Sequence, residues 1–236
     1  MNTTPDILNE TALHVEQVIY SRHSIRRFLP KPVSLSTVRE LLETAAQAPS
    51  GTNVQPWKVY ALAGEKKVEL GNAITEKYLA SGVEGMPFDY YPKEWTDPWL
   101  SRRRKTGIDL YALLGIEKGD DDKMLQQWIR NYQFFDAPVG LIFTIDKVLG
   151  QGMFLDCGMF IATLMIAARA RGLDTCVQVA FAHFQEVIHK TLYLPENEIV
   201  ICGMSLGYAD QEAPENKLRT EREPVDSFAD LRGFAD

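Results

Sequence analysis

Apolar residues at Leu13, Val15, Val18 and Ile19 predict a helix over 12–22. A second helix follows Pro32-Val33. Val38, Leu41, Leu42 and Ala45 keep its 3.6-residue period, Ser34 or Ser36 supplies the cap, and it ends before Pro49. The polar loop Ser50-Gly51-Thr52-Asn53 leads into a strand at 57–63, and 65–80 reads as helix. Beyond residue 120 the pattern predicts a helix at 122–134 and a buried strand at 139–145. A long helix at 153–171 follows, closed by Gly172 at the C′ position. Short elements complete the chain: extended 175–180, helical 183–191, a strand at 199–206, and a polar, charged tail over 210–236. Helices and strands mix without strict βαβ alternation, repeats or low-complexity tracts, which suggests a single α+β domain over 1–236.

Two segments depart from that regular pattern. Cys157–Ala168 is apolar on nearly every face, yet too short for a bilayer, which needs roughly 20 apolar residues. It is a central helix or one shared with a second chain, and we favour the second. Residues 82–122 hold Gly82, Gly85, Pro87, Pro92, Pro98, Gly107, Gly115 and Gly119 among tyrosines and tryptophans. They read as a broken, lid-like aromatic insertion rather than a passive linker.

Composition narrows the function classes. With 25 basic against 32 acidic residues the net charge is −7, which argues against a nucleic-acid partner. The first ten residues lack the basic and apolar regions of a secretory signal. Cys157, Cys176 and Cys202 are widely spaced and odd in number, as suits a reducing, cytoplasmic compartment. His14, His23, His183 and His189 form no H-E-x-x-H, so no metal site is expected, and with so short an apolar run no membrane association is expected either.

Chemistry concentrates in three segments. Ser21–Phe28 (SRHSIRRF) sets arginines among hydroxyls, and irregular backbone there lets Arg22, Ser24 and Arg26 face one way. The bland alternative is a solvated charged turn. Ala48–Trp57 (APSGTNVQPW) packs hydroxyls and amides between two prolines, suited to the alternating donors and acceptors of a pyrimidine-like edge, or simply a capped turn. Asn216–Arg222 (NKLRTER) brings Lys217 and Arg219 within reach of one anion, unless it is only a frayed basic tail.

Together with GLDTCVQVAF at 172–181, these segments are similar to the FMN-dependent nitroreductase family, in the family's order and over essentially the whole chain. Tyr90-Tyr91-Pro92, the run Trp99–Arg104 and Asn131–Pro138 resemble the subgroup that reduces nitrobenzene and nitrobenzoates. The resemblance implies a three-layer α/β/α sandwich around a mostly antiparallel sheet. It also implies an obligate homodimer with FMN at its interface.

On that resemblance Arg22, His23 and Ser24 contact the FMN phosphate and ribityl chain, and Lys217 and Arg219 complete the phosphate site. Arg26 lies near flavin N1 and O2, and Asn131 bonds the pyrimidine edge. Pro49, Ser50, Asn53 and Gln55 come from the second chain. Val177, Val179 and Ala180 offer backbone groups to the ring, with the Val179 amide the donor to N5. Gln178 stands where many relatives differ, so its side chain has two possible directions. Thr52, Phe88, Tyr90, Tyr91, Trp95, Trp99 and Arg104 are the substrate-side candidates.

The implied reaction is ping-pong transfer of hydride equivalents from NADH or NADPH, through FMN, to a small nitroaromatic, giving a hydroxylamine. It needs no side-chain nucleophile or acid–base group. Alternatives on the same scaffold are reduction of quinones, enoates or halogenated rings, and outside catalysis, flavin binding or sensing. A Rossmann reading of Gly150-Gln151-Gly152 fails because Leu155 stands where the third glycine belongs.

Overall fold

Strands β1 (Lys58–Ala63), β2 (Val139–Asp146), β3 (Asp174–Gln178) and β4 (Glu198–Gly207) pair antiparallel in the order β1-β2-β4-β3. The helices are α1 (Thr4–Ser21), α2 (Leu35–Ala45), α3 (Gly64–Ser81), α4 (Trp99–Leu113), α5 (Asp121–Tyr132), α6 (Met153–Ala170) and α7 (Gln185–Leu192). The computed structural model describes residues 4–234.

The two central strands are buried along almost their whole length because successive side chains enter different cores. Val139, Leu141, Phe143 and Ile145 of β2 pack with α2 and α6. Ile142 points the other way, among Leu70 and Ile74 of α3, Tyr132 of α5 and Ile188 of α7. A register shift opposite Phe143 and Thr144 puts both Ile201 and Cys202 of β4 on the α2/α6 side. Gly140 and Gly203 open space on the other side: a Cβ would lie 2.6 Å from the Phe134 ring and 2.5 Å from the Phe181 ring, respectively.

Local rules account for the termini. Ser34, not Ser36, caps α2 by accepting from the Thr37 N–H at 3.1 Å. Gly172, at φ 72°, closes α6, with the Leu173 N–H returning to the Ala168 carbonyl at 3.0 Å. α6 has 18 residues and a mean hydropathy of 1.6, longer than the twelve-residue run read from sequence and enough by length and composition to cross a membrane. One side of it packs into the core, and its charged residues are tied to protein groups: Asp156 to the Gly51 N–H and Arg169 to Asp174.

Other differences concern extent. α1 begins at Thr4, ahead of the expected start at residue 12. The expected extended stretch 175–180 splits into β3 and a short 3-10 helix, Val179–His183. The broken insertion contains the regular helix α4, which buries none of its residues and therefore shows no apolar stripe.

At the far end of the sheet, buried Glu198 accepts from Lys58 (2.7 Å), Tyr60 (2.8 Å) and Thr144 (2.5 Å). Burial pushes its carboxyl up, but these hydrogen bonds prevail and hold it below the ordinary 4.5. The same contact and burial push the Tyr60 hydroxyl up to about 12. Glu198→Ala is expected to lower unfolding stability by about 2 kcal/mol in urea titration, with Glu198→Gln recovering most of it. Because the folded carboxyl is the stronger acid, the difference is full at neutral pH and shrinks as pH falls below 4.5.

Candidate active site

After α1 the chain runs extended beside β3: Ser24 bridges Thr175, and the Ile25 N–H donates to the Thr175 carbonyl at 3.1 Å. Ile25 enters the core. Arg22, Ser24 and Arg26 lie around the Cys176 thiol, which burial pushes up against the opposing influence of these three groups. Cys176 therefore stays a thiol.

The backbone at Arg26 is pinned from both sides. Its N–H donates to Asn216 Oδ1 at 2.7 Å, and its carbonyl accepts from Arg130 Nη2 at 2.8 Å. Asn216 also donates to the Arg27 and Asp210 carbonyls, at 2.7 and 2.9 Å. Arg27 and Arg130 converge on buried Glu215 (3.4 and 2.8 Å) and on Asp136 (2.8 and 3.2 Å).

Arg26 opens onto a cavity of about 220 Å³, walled by Asn131 and Trp128 of α5, the stretch Val177–Ala180, and Tyr91, Phe135 and His183. A second cavity of about 510 Å³ shares Arg26, Trp128, Asn131 and Phe135 and is closed by Arg103, Arg104, Ile108 and Tyr111 of α4. The Arg103 guanidinium lies over the Trp95 ring at 5.0 Å and the Tyr91 ring at 5.7 Å. Burial lowers the His183 pKa from its ordinary 6.5, which favours a neutral ring beside the cavity.

Gln178 turns inward. It is 4% exposed; its Nε2 donates to the Asn131 backbone carbonyl (2.5 Å) and Oδ1 (2.7 Å), and its Oε1 accepts from Ser205 (2.7 Å).

The sequence-derived candidates divide into groups. Arg26, Asn131, Val177, Gln178, Val179, Ala180 and Tyr91 meet at the inner cavity, and Arg104 lines the outer one. Arg22 and Ser24 line neither cavity and lie near Cys176. The His23 ring is hydrogen-bonded to the Ser21 carbonyl at 3.0 Å. Lys217 is exposed, whereas Arg219 bonds the Asn216 and Leu218 carbonyls and lines a separate cleft against α4.

Pro49, Ser50, Thr52, Asn53 and Gln55 line neither cavity; they form an accessible loop on another side. Thr52, Asn53 and Gln55 there take positive φ, costly for a β-branched threonine, and the Gln55 N–H donates to Ser50 Oγ at 3.0 Å. Phe88 packs edge-on against Phe154, at 4.8 Å, in the α2/α6 core instead of facing either cavity. Tyr90 lies edge-on to Tyr91 at 4.6 Å, Trp95 is half-buried under Arg103, and Trp99 is exposed.

Sequence reasoning missed Trp128, Phe135, Met86 and His183 as wall residues, and Asn216 as the clamp on Arg26. Asn216 had a local signal in the NKLR segment, and Phe135 had one in the Asn131–Pro138 segment.

Residues 19–208 match the Nitroreductase family. The chain is 41% identical to a 4-nitrobenzoate reductase of Pseudomonas putida, covering 93% of this chain and 96% of that one. It is 37% identical to a nitrobenzene nitroreductase of Ectopseudomonas oleovorans, covering 92% and 96%. The FMN and NADPH-dependent nitroreductase NfnB of Sphigopyxis sp. strain HMH superposes with a TM-score of 0.90 at 32% identity, over 93% of this chain and 99% of that one. A family model matching residues 19–208, with relatives 41% and 37% identical over more than nine-tenths of the chain, makes the conclusion plain: the chain belongs to the nitroreductase family.

Proposed function

We propose that the protein is an FMN-dependent NAD(P)H oxidoreductase that reduces nitroaromatic compounds of the nitrobenzene and nitrobenzoate class to hydroxylamines. The observation that carries this reading is the inner cavity, where the Arg26 guanidinium, the Asn131 carboxamide and the start of the Val179–His183 turn converge beneath aromatic walls. These residues fit a flat, electron-rich ring. Arg26 supplies positive charge, the Asn131 NH2 group donates to nothing among the described residues, and the first N–H groups of the turn lack intrahelical partners. When bound, FMN carries hydride equivalents from NADH or NADPH to the nitro group.

The protein's part is orientation, charge and exclusion of water. Arg26, held by its pinned backbone, would face the ring edge where negative charge grows on reduction. Trp128, Tyr91 and Phe135 would cover the open face, against which nicotinamide and nitroaromatic stack in turn. Arg22, His23, Ser24, Lys217 and Arg219 would take the phosphate and ribityl end. Arg104, on the outer cavity, would attract a ring carboxylate. Arg104→Ala is then expected to raise the KM for 4-nitrobenzoate about tenfold more than that for nitrobenzene in steady-state assays.

The reading includes a homodimer, supported by surface. The chain exposes 14703 Å², against about 10,700 Å² expected for a compact monomer of its mass. Leu13, Val15 and Ile19 of α1, Leu155 of α6, and Phe228, Leu231 and Phe234 of the tail are exposed. The 50–55 loop, displaced from its own chain's cavity, would serve the cavity of a second copy. Helices packed against both faces of the sheet support the three-layer sandwich, and three free, buried cysteines support a cytoplasmic setting.

The test is anaerobic absorbance spectroscopy. A yellow protein should bleach with NADH or NADPH and regain colour with 4-nitrobenzoate. A colourless protein that takes up no added FMN defeats the proposal.

A further inference from the structure

We propose that Gln178 and Ser205 form a buried orienting pair that fixes the Asn131 carboxamide with its NH2 group toward the cavity. This side of the site would then read a carbonyl oxygen of the ring and reject a ring N–H. The inference rests on the inner cavity being the FMN site.

The polarity follows from the donors. The Ser205 hydroxyl is fully buried and donates to Gln178 Oε1 at 2.7 Å. The Asn131 backbone carbonyl, which can only accept, requires the other end of the Gln178 carboxamide to be Nε2, and this meets it at 2.5 Å and Asn131 Oδ1 at 2.7 Å. Reversing the Asn131 amide would set NH2 against NH2 and lose a part-buried hydrogen bond. Asn131 Oδ1 is therefore committed inward, and its two N–H donors remain for the cavity that Asn131 lines.

All three residues sit on rigid elements, Ser205 on β4, Gln178 at the end of β3 and Asn131 on α5, so the orientation is built before any ligand arrives. A fixed donor at a ring carbonyl becomes stronger as negative charge grows there on reduction. Gln178 is thus a positioning residue, acting through Asn131.

The test is a double-mutant cycle read by FMN binding to the apo-protein and by the midpoint potential of bound FMN. Gln178→Met is expected to weaken FMN binding about tenfold and to shift the potential to a more negative value. In an Asn131→Ala background the same change should alter neither quantity. Ser205→Ala should give a smaller loss of the same sign, likewise abolished by Asn131→Ala, and stands in if Gln178→Met does not fold. Equal losses in both backgrounds, or no loss in either, overturn the positioning role. A wild-type protein that binds no FMN instead overturns the flavin reading beneath it.

Discussion

Arg26→Ala is expected to lose most of its flavin on desalting and, when refilled with FMN, to be reduced by NAD(P)H about 10²–10³-fold more slowly in stopped-flow absorbance. The magnitude is that of removing one preorganised charge from the place where charge develops. The two hydrogen bonds that pin its backbone, from Asn216 and Arg130, survive the substitution, and only the long 3.3 Å bond from Nη1 to the Ser24 carbonyl is lost. The thermal midpoint should accordingly stay near that of wild type, which separates loss of function from loss of fold. Arg26→Lys should restore only part of the rate, since an ammonium offers a point charge without the planar fork. Wild-type retention and reduction in Arg26→Ala would remove this residue from the proposed chemistry.

Gly203→Ala should cost about 3 kcal/mol, at the upper end of overpacking penalties. Its new methyl would sit 2.5 Å from Phe181 Cδ2. That ring is fully buried and stacks on Phe134 at 4.5 Å, and Phe134 in turn fills the space left by Gly140. The strain has little room to dissipate. A chain of this size should lose roughly 6–12 °C in calorimetry. Phe181 belongs to the turn that carries Val179 and Ala180 into the cavity, so FMN binding should weaken together with stability. A compensating Phe181→Leu should recover part of the stability. An unchanged midpoint in Gly203→Ala would show that the ring can move aside.

Much of this architecture can be read along the chain. β1, β2, α3 and α6 lie within two residues of their expected bounds, because each has a flanking Pro or Gly or a clear periodicity. α4 escaped because a helix without a buried face shows no stripe, and because Pro98 and Gly115 at its ends dominate the local signal. The site was legible as segments and not as geometry. Arg26, Asn131 and Val177–Ala180 meet through tertiary folding, and Trp128 and Phe135 carry no mark distinguishing a cavity wall from an ordinary core or surface aromatic. The direction of Gln178 was unreadable for a related reason: β3 is buried on nearly every position, so alternation does not say which side faces ligand. Phe88, expected over substrate, is drawn into the α2/α6 core by the Phe154 ring.

The clamp between Asn216 and the backbone of Arg26 and Arg27 joins positions 190 and 189 residues apart. During synthesis the arginine strap emerges early and waits, untethered on that side, while the whole sheet is made. The pocket acquires its final wall support only once residue 216 has cleared the ribosome. A ribosome-stalled chain ending before Asn216 would carry the sheet sequence without the clamp on the Arg26 backbone.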